Sequence, residues 1–442
     1  MRRLSFSGLV LAVVSTLTTV VGLPGVPTPA AYSALPSCSG RHWVASWYAA
    51  PSDALLSQPP IEQTFRIQVS PLRGGTVARF RFSNRFGSGP VTFGDATVGK
   101  QHPTLKGASI EAGTLHNITF AGGHRRVVIP QGREVLTDPV RIRFGTFRRL
   151  LVSIHVVGAP GPATQHAISE QTTWQSPPLS GNHTHDMGAG GFFGVPLPGL
   201  VPALPQGIPY LTGMDVRARN RVGTVVTFGD SITDGTEAEA LPFVLSADNI
   251  DKFVAYPDQL ARRIKNAGLP MSVANSGISG NMLLNDAVVP VFGPSGLSRF
   301  TRDALDRPGV TTVILLEGIN DIGQLLATRD QLVAGYKKAI AAAHARGVRI
   351  LLGTLTAQNG TIQPPNYGFL GEPTRVAVNQ WIRAQRLSDG VVDFDKAVRD
   401  PSDPSRLRPE YDGGDHPHFS AAGYRAMAAA VPLSKLRLPR CS

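Results

Sequence analysis

The sequence predicts a two-part chain: an all-β sandwich, then an α/β region with helices on both faces of a parallel sheet. Three observations carry this expectation. The chain has 442 residues, more than one ordinary core holds. From Trp43 to about Gly213, short apolar runs alternate with polar residues and are broken by pairs such as Gly74-Gly75 and Gly122-Gly123. Alternation of that kind marks antiparallel strands with one buried face. From Arg221 the runs become continuously apolar and alternate with helical stretches, the pattern of a parallel sheet buried on both faces. Hydrophobic residues make up 42% and charged residues 17%, which excludes a disordered chain.

The first segment reads as an export signal over residues 1–34. Arg2 and Arg3 precede an apolar run from Leu9 to Leu23, then Pro24, Pro27 and Pro29, then the small residues Ala30, Ala31, Ser33 and Ala34. A retained membrane anchor is the alternative, but the run is short of the about 20 apolar residues that a span requires. The two cysteines, Cys38 and Cys441, stand near the ends of what remains. In an oxidising compartment they can close a disulfide. The rival for Cys38 is lipidation, which the intervening Pro36 and the distance from the apolar run disfavour.

In the β region, residues 41–213, strands are expected at Thr64–Val69, Val77–Phe82, Arg126–Ile129 and Leu150–Val156. Arg79, Arg81, Arg141 and Arg143 fall on the polar side of the alternation and are expected on wet faces. Fifteen Lys/Arg against eight Asp/Glu lie between Arg41 and Met214, and the whole chain carries +12. Such charge is ordinarily solvated surface, and an anionic cell-wall polymer is the contact it would favour. Nothing beyond net charge points to nucleic acid. The stretch Gly190–Leu211 is apolar but full of Gly and Pro, so it is no regular helix. It reads as a linker packed along a domain interface, with an apolar wall beside a substrate site as the alternative.

In the α/β region, residues 214–442, strands are expected at Thr224–Phe228, Ser272–Ala274, Thr312–Leu316, Arg349–Leu352 and Val391–Phe394. Helices are expected at about Tyr256–Ala267, Arg329–Arg346, Thr374–Arg386 and Ser420–Ala430. Ligands of such sheets bind at the carboxyl ends of the strands, and the chemistry-bearing residues fall there. Gly229-Asp230-Ser231 follows the first strand, and a serine at a strand-to-helix turn stands exposed with its backbone N–H near its hydroxyl. Asn275-Ser276-Gly277-Ile278-Ser279-Gly280-Asn281 follows the second, where glycine lets a backbone N–H approach a ligand. Gly318-Ile319-Asn320-Asp321 follows the third and offers an amide donor. Asp415 stands three residues before His418, placed to orient an imidazole.

These four blocks, in this order over about Val222 to Ala430, resemble the SGNH (GDSL-type) hydrolase family. The resemblance implies a three-layer, flavodoxin-like parallel sheet. It implies Ser231 as nucleophile, His418 as base and Asp415 as its orienting carboxylate. It implies an oxyanion hole from the Ser231 N–H, the Gly280 N–H and the Asn320 amide. Trp43–Trp47 and Arg79–Gly87 are similar to the jelly-roll-like β-sandwich that precedes this domain in secreted bacterial members. His416 competes with His418, but Asp415 and Gly423-Tyr424 stand at the family's spacing from His418. The family's proline after that histidine is here Phe419. Asp230 and Asp321 are expected as structural hydrogen-bonders, and His183-Thr184-His185-Asp186 as a polar loop.

The resulting expectation is a secreted or cell-wall-associated serine esterase. It acts on an acylated carbohydrate or a short-chain lipid ester and needs no metal or cofactor. The alternatives are a lipase or phospholipase acting on longer acyl chains, and a carbohydrate-binding protein with a silent catalytic domain. The complete set of Ser, Gly, Asn and His argues against the second.

Overall fold

Period-two patterning builds the N-terminal half. The structure, a computed structural model, describes residues 40–54, 59–195, 207–219, 221–236, 250–361, 365–436 and 438. The expected export segment, Cys38, Cys441 and the middle of the Gly190–Leu211 stretch lie outside the described residues. The strands of this half are β1 (Arg41–Tyr48), β2 (Gln63–Val69), β3 (Ala78–Ser83), β4 (Val91–Lys100), β5 (His116–Asn117), β6 (Val127–Ile129) and β7 (Glu134–Leu136). They continue with β8 (Leu150–Val157), β9 (Gln165–His166), β10 (Thr173–Gln175), β11 (Phe193–Val195), β12 (Ile208–Pro209) and β13 (Leu211–Arg219). One antiparallel sheet runs β1-β13-β3-β7; a second runs β11-β10-β2-β8-β4-β5, with β6 beside β4. Their inner side chains share one core, in which Phe82 meets Phe93 edge-on at 5.3 Å.

The expectation of wet outer faces holds only in part. Arg141 and Arg143 are exposed. Arg81 is buried, with Nη1 3.5 Å from Glu134, and Arg79 is half-buried between Asp215 at 2.8 Å and the Trp43 ring. The physical reason is that this sheet sits against the α/β half rather than water. Ala45 N–H donates to the Pro308 carbonyl at 3.0 Å, and the Tyr48 hydroxyl donates to Asp303 at 2.7 Å. The second sheet is covered too. Arg66 is fully buried beneath the 183–192 loop, donating to Ala108, His183 and Asp186 carbonyls with Phe192 stacked on it.

The second half is α/β. Its strands are β14 (Gly223–Gly229), β15 (Met271–Gly277), β16 (Val310–Leu316), β17 (Arg349–Gly353) and β18 (Gly390–Val392), all parallel in the order β15-β14-β16-β17-β18. In sequence terms this is order 2-1-3-4-5, whose switch point lies at the first strand. The helices are α1 (Ser231–Asp234), α2 (Tyr256–Asn266), α3 (Gly296–Phe300), α4 (Ile319–Leu325), α5 (Arg329–Ala345), α6 (Glu372–Ala384), α7 (Phe394–Val398) and α8 (Ala421–Ala430). α2, α7 and α8 pack as one group, and α3, α5 and α6 as another. The strands between them are mostly apolar; β16 is buried at all seven positions. The last strand ends earlier than expected, because Asp393 caps α7 by accepting the Lys396 N–H at 3.1 Å.

Candidate active site

Four loops meet at the carboxyl ends of β14, β15 and β16. β14 closes on Gly229, where a Cβ would stand 2.0 Å from the Leu316 carbonyl oxygen, so the turn needs glycine. Asp230 then caps α1, its Oδ1 accepting the Ile232 N–H at 3.0 Å. Ser231 is the first helical residue, and its N–H donates to no described residue, as expected in a first turn.

Asp415 is fully buried and grips His418 twice. Its Oδ1 accepts the His418 backbone N–H at 3.0 Å, and its Oδ2 lies 2.6 Å from Nδ1. A carboxylate there accepts a hydrogen bond from Nδ1–H, which leaves Nε2 as an acceptor. Nε2 stands 2.9 Å from Ser231 Oγ. His416 is turned elsewhere: it has φ of 72° and its Nδ1 bonds the Asp412 carboxylate. Phe419 is fully buried on Tyr424, whose hydroxyl donates to the Thr236 carbonyl at 2.6 Å. The residue that departs from the family thus packs the final block beneath the serine turn.

Gly280 has φ of 74°, and a Cβ would lie 2.3 Å from the Phe292 ring. Its N–H also has no described acceptor, while its carbonyl accepts from Gln324 at 3.2 Å. Asn320 Nδ2 donates to the Asn281 carbonyl at 2.9 Å, and its Oδ1 accepts the Tyr367 hydroxyl at 2.9 Å. That leaves the second amide hydrogen without a described acceptor.

Beneath these loops lie buried charges, of which the sequence did not single out Arg299 and Glu317. Arg299 is fully buried, with Nε 2.7 Å from Asn281 Oδ1, Nη1 2.8 Å from the Ser276 carbonyl and Nη2 2.9 Å from the Gly229 carbonyl. It stacks on Phe228 and faces Glu317 at 3.3 Å. Burial pushes the Glu317 carboxyl up to about 8 against the pull of Arg299, and the Asp230 carboxyl up to about 7. Asp321 accepts the N–H groups of Leu283 at 2.7 Å and Leu284 at 2.9 Å, and burial still raises it to about 6. Asp230 and Asp321 are thus hydrogen-bonders within the scaffold. His166 reaches across from the β half to Asp234. The 183–186 loop is bonded within itself, His183 to Asp186 at 2.8 Å, and to β4, His185 to Asp95 at 3.0 Å.

A serine hydroxyl bonded to an imidazole that a buried carboxylate orients can attack a carbonyl, and open N–H donors suit the resulting oxyanion. Residues 227–426 match the model of the GDSL-like lipase/acylhydrolase family. Solved structures similar to the chain include the aryl esterase of M. smegmatis, 18% identical, covering 47% of this chain and 96% of that one with a TM-score of 0.38. A carbohydrate acetylesterase from Sinorhizobium meliloti is 15% identical over 47% of this chain and 95% of that one, with a TM-score of 0.38. A family two carbohydrate esterase from Clostridium thermocellum in complex with cellohexaose is 14% identical over 84% of this chain and 91% of that one, with a TM-score of 0.35. No curated protein matches the chain.

Proposed function

We propose, for a chain whose residues 227–426 match the GDSL-like lipase/acylhydrolase family, that it is an ester hydrolase and that Ser231 is the nucleophile of a secreted carbohydrate esterase. The observation that carries the mechanism is the Ser231–His418–Asp415 chain of hydrogen bonds, 2.9 Å and 2.6 Å long. His418 Nε2 takes the Ser231 proton as Oγ bonds to the ester carbonyl carbon. The oxyanion is held by the N–H groups of Ser231 and Gly280 and by the Asn320 amide. Collapse expels the alcohol, which receives the proton from His418. Water then repeats the sequence on the acyl-serine, releasing the acid. Export past a signal ending near Ala34 and pairing of Cys38 with Cys441 belong to the same proposal.

The carbohydrate assignment is supported by a groove of about 450 Å³ between the two halves, which Ser52, Asp53, Phe86 and Ser88 line from one side and Asp286 and Gly293 from the other. An aromatic face beside carboxylates and hydroxyls suits a sugar's apolar ring faces and its hydroxyl groups. Gly293, which lines the groove, follows Phe292, the ring packed on Gly280. A lipase reading has its own support: Leu325, Leu326, Phe369 and Leu370 are exposed on either side of the Gly323–Tyr367 contact. The charge surplus of the β half favours an anionic cell-wall polymer as the carrier of the ester.

The test is a fluorophosphonate probe followed by a chain-length series of p-nitrophenyl esters. Ser231 should be the labelled residue, acetyl esters should be cleaved fastest, and acylated cell-wall polysaccharide should release its acid. Labelling elsewhere sinks the nucleophile, and a rate that climbs with chain length transfers the assignment to a lipase. Gly280→Ala should lower kcat by roughly 10²–10³, the cost of losing one oxyanion donor, with KM changed little. Its new methyl collides with Phe292 in a left-handed backbone, so Phe292→Ala added to it should recover part of the rate. A fully active Gly280→Ala enzyme would remove Gly280 from the mechanism.

A further inference from the structure

We infer that His166, contributed by the β half, is a positioning residue for the Gly280 donor: as an imidazolium it holds Asp234, and Asp234 holds the peptide leading into Gly280. The inference rests on Gly280 being an oxyanion donor, as proposed above.

His166 lies on β9 and is buried. Its Nδ1 is 2.9 Å from the Ala50 carbonyl oxygen, and its Nε2 is 3.1 Å from Asp234 Oδ1. A carbonyl cannot donate. Nor is Asp234 the donor: its Oδ2 accepts from Ser279 N–H at 3.0 Å and Ser279 Oγ at 2.8 Å, and a carboxyl group is a stronger acid than an imidazolium, so the proton between Oδ1 and Nε2 belongs to the ring. A ring that meets an acceptor at each nitrogen satisfies both only with a proton on each. The pair is therefore a buried imidazolium and carboxylate, and the carboxylate's far oxygen grips Ser279 twice, one residue before Gly280. The Thr236 hydroxyl, 2.5 Å from Ser279 Oγ, completes the grip.

The charges around the ring are Asp234 on α1, Arg299 on α3, and Glu170 and Asp258, which line the same small interfacial cavity of about 90 Å³. Asp53 lies behind β9, bonded to the side chain of the neighbouring Gln165 at 3.2 Å. Burial by itself would drive the proton off, and Arg299 adds to that. The Asp234 carboxylate, its hydrogen bond and the Ala50 carbonyl outweigh both, so His166 holds its proton above the ordinary histidine value. The sign follows: the grip on Ser279 is complete below the ordinary histidine value and is lost as pH rises through the raised one.

The experiment uses the full chain labelled with 15N-histidine. At neutral pH the His166 ring should show two protonated nitrogens, and it should titrate above the ordinary histidine range. The kcat of the parent should fall over the same pH interval. His166→Gln should lower kcat by roughly tenfold to a hundredfold, less than deleting an oxyanion donor. It should leave KM within about twofold and abolish the alkaline fall. A neutral His166 ring at neutral pH overturns the inference. So does a folded His166→Gln enzyme with the parent's kcat and pH profile. Should that variant not fold, the parent decides: a kcat profile that does not follow the His166 titration overturns the inference. The ring's protonation is read without turnover, so a failure of the Gly280 assignment would show separately, as full activity in Gly280→Ala.

Discussion

Ser231→Ala and His418→Ala should each lower turnover of a soluble acetyl ester by roughly 10⁴–10⁶, and His416→Ala by far less. The proton leaving Ser231 Oγ has one described acceptor, His418 Nε2 at 2.9 Å. Without it the hydroxyl is a poor nucleophile, and without the hydroxyl the base has nothing to activate. The two losses should therefore not add, and the double variant should be about as slow as either single one. Asp415→Asn should cost a comparable factor of roughly 10⁴, because an amide aimed at Nδ1 favours the wrong tautomer and cannot stabilise the imidazolium. His416 holds only the Asp412 carboxylate at the loop's edge. Steady-state rates with circular dichroism on each variant decide the matter. A dead His416→Ala beside an active His418→Ala would show that Phe419 had marked a shifted final block.

Much of this site was legible because strand ends are legible. β14, β15 and β16 were visible as apolar runs, and Ser231, Gly280 and Asn320 stand within a few residues of their carboxyl ends. The Asp415–His418 spacing is local, so a motif carries it. What escaped was long-range. Arg299 carries no motif to mark it, and it becomes a buried hub only when α3 packs beneath the strand ends. Alternation puts Arg66 and Arg81 on the outer faces of their sheets, and it cannot say that a loop and another half of the chain cover those faces. Tyr367 and His166 join Asn320 and Asp234 over tens of residues, with no spacing to signal it.

Arg299→Met should destabilise the protein by about 3–5 kcal/mol, the cost of breaking a buried charged network by removing one member. The Arg299 guanidinium is the described cation that bonds the Gly229 and Ser276 carbonyls and Asn281 Oδ1 together. Asp303 is not stranded by the change, because Arg302 and Tyr48 still bond it at 2.6 Å and 2.7 Å. Glu317 can take a proton, as its carboxyl already stands near 8. The cost therefore falls on the three oxygens, and chiefly on Asn281. Its amide nitrogen clamps the Phe292 and Pro294 carbonyls at 2.6 Å and 2.8 Å, so its orientation sets the wall beside Gly280. The loops after β14 and β15 should loosen together, and kcat should fall at least tenfold even in the folded fraction. Arg299→Lys separates charge from geometry. An ammonium keeps the charge but cannot present a planar fork to three acceptors, so stability should recover in part and kcat should stay low. Urea unfolding with matched kinetics tests this; a methionine variant within about 1 kcal/mol of the parent, or a lysine variant with full kcat, would show that the loops hold their places without the fork.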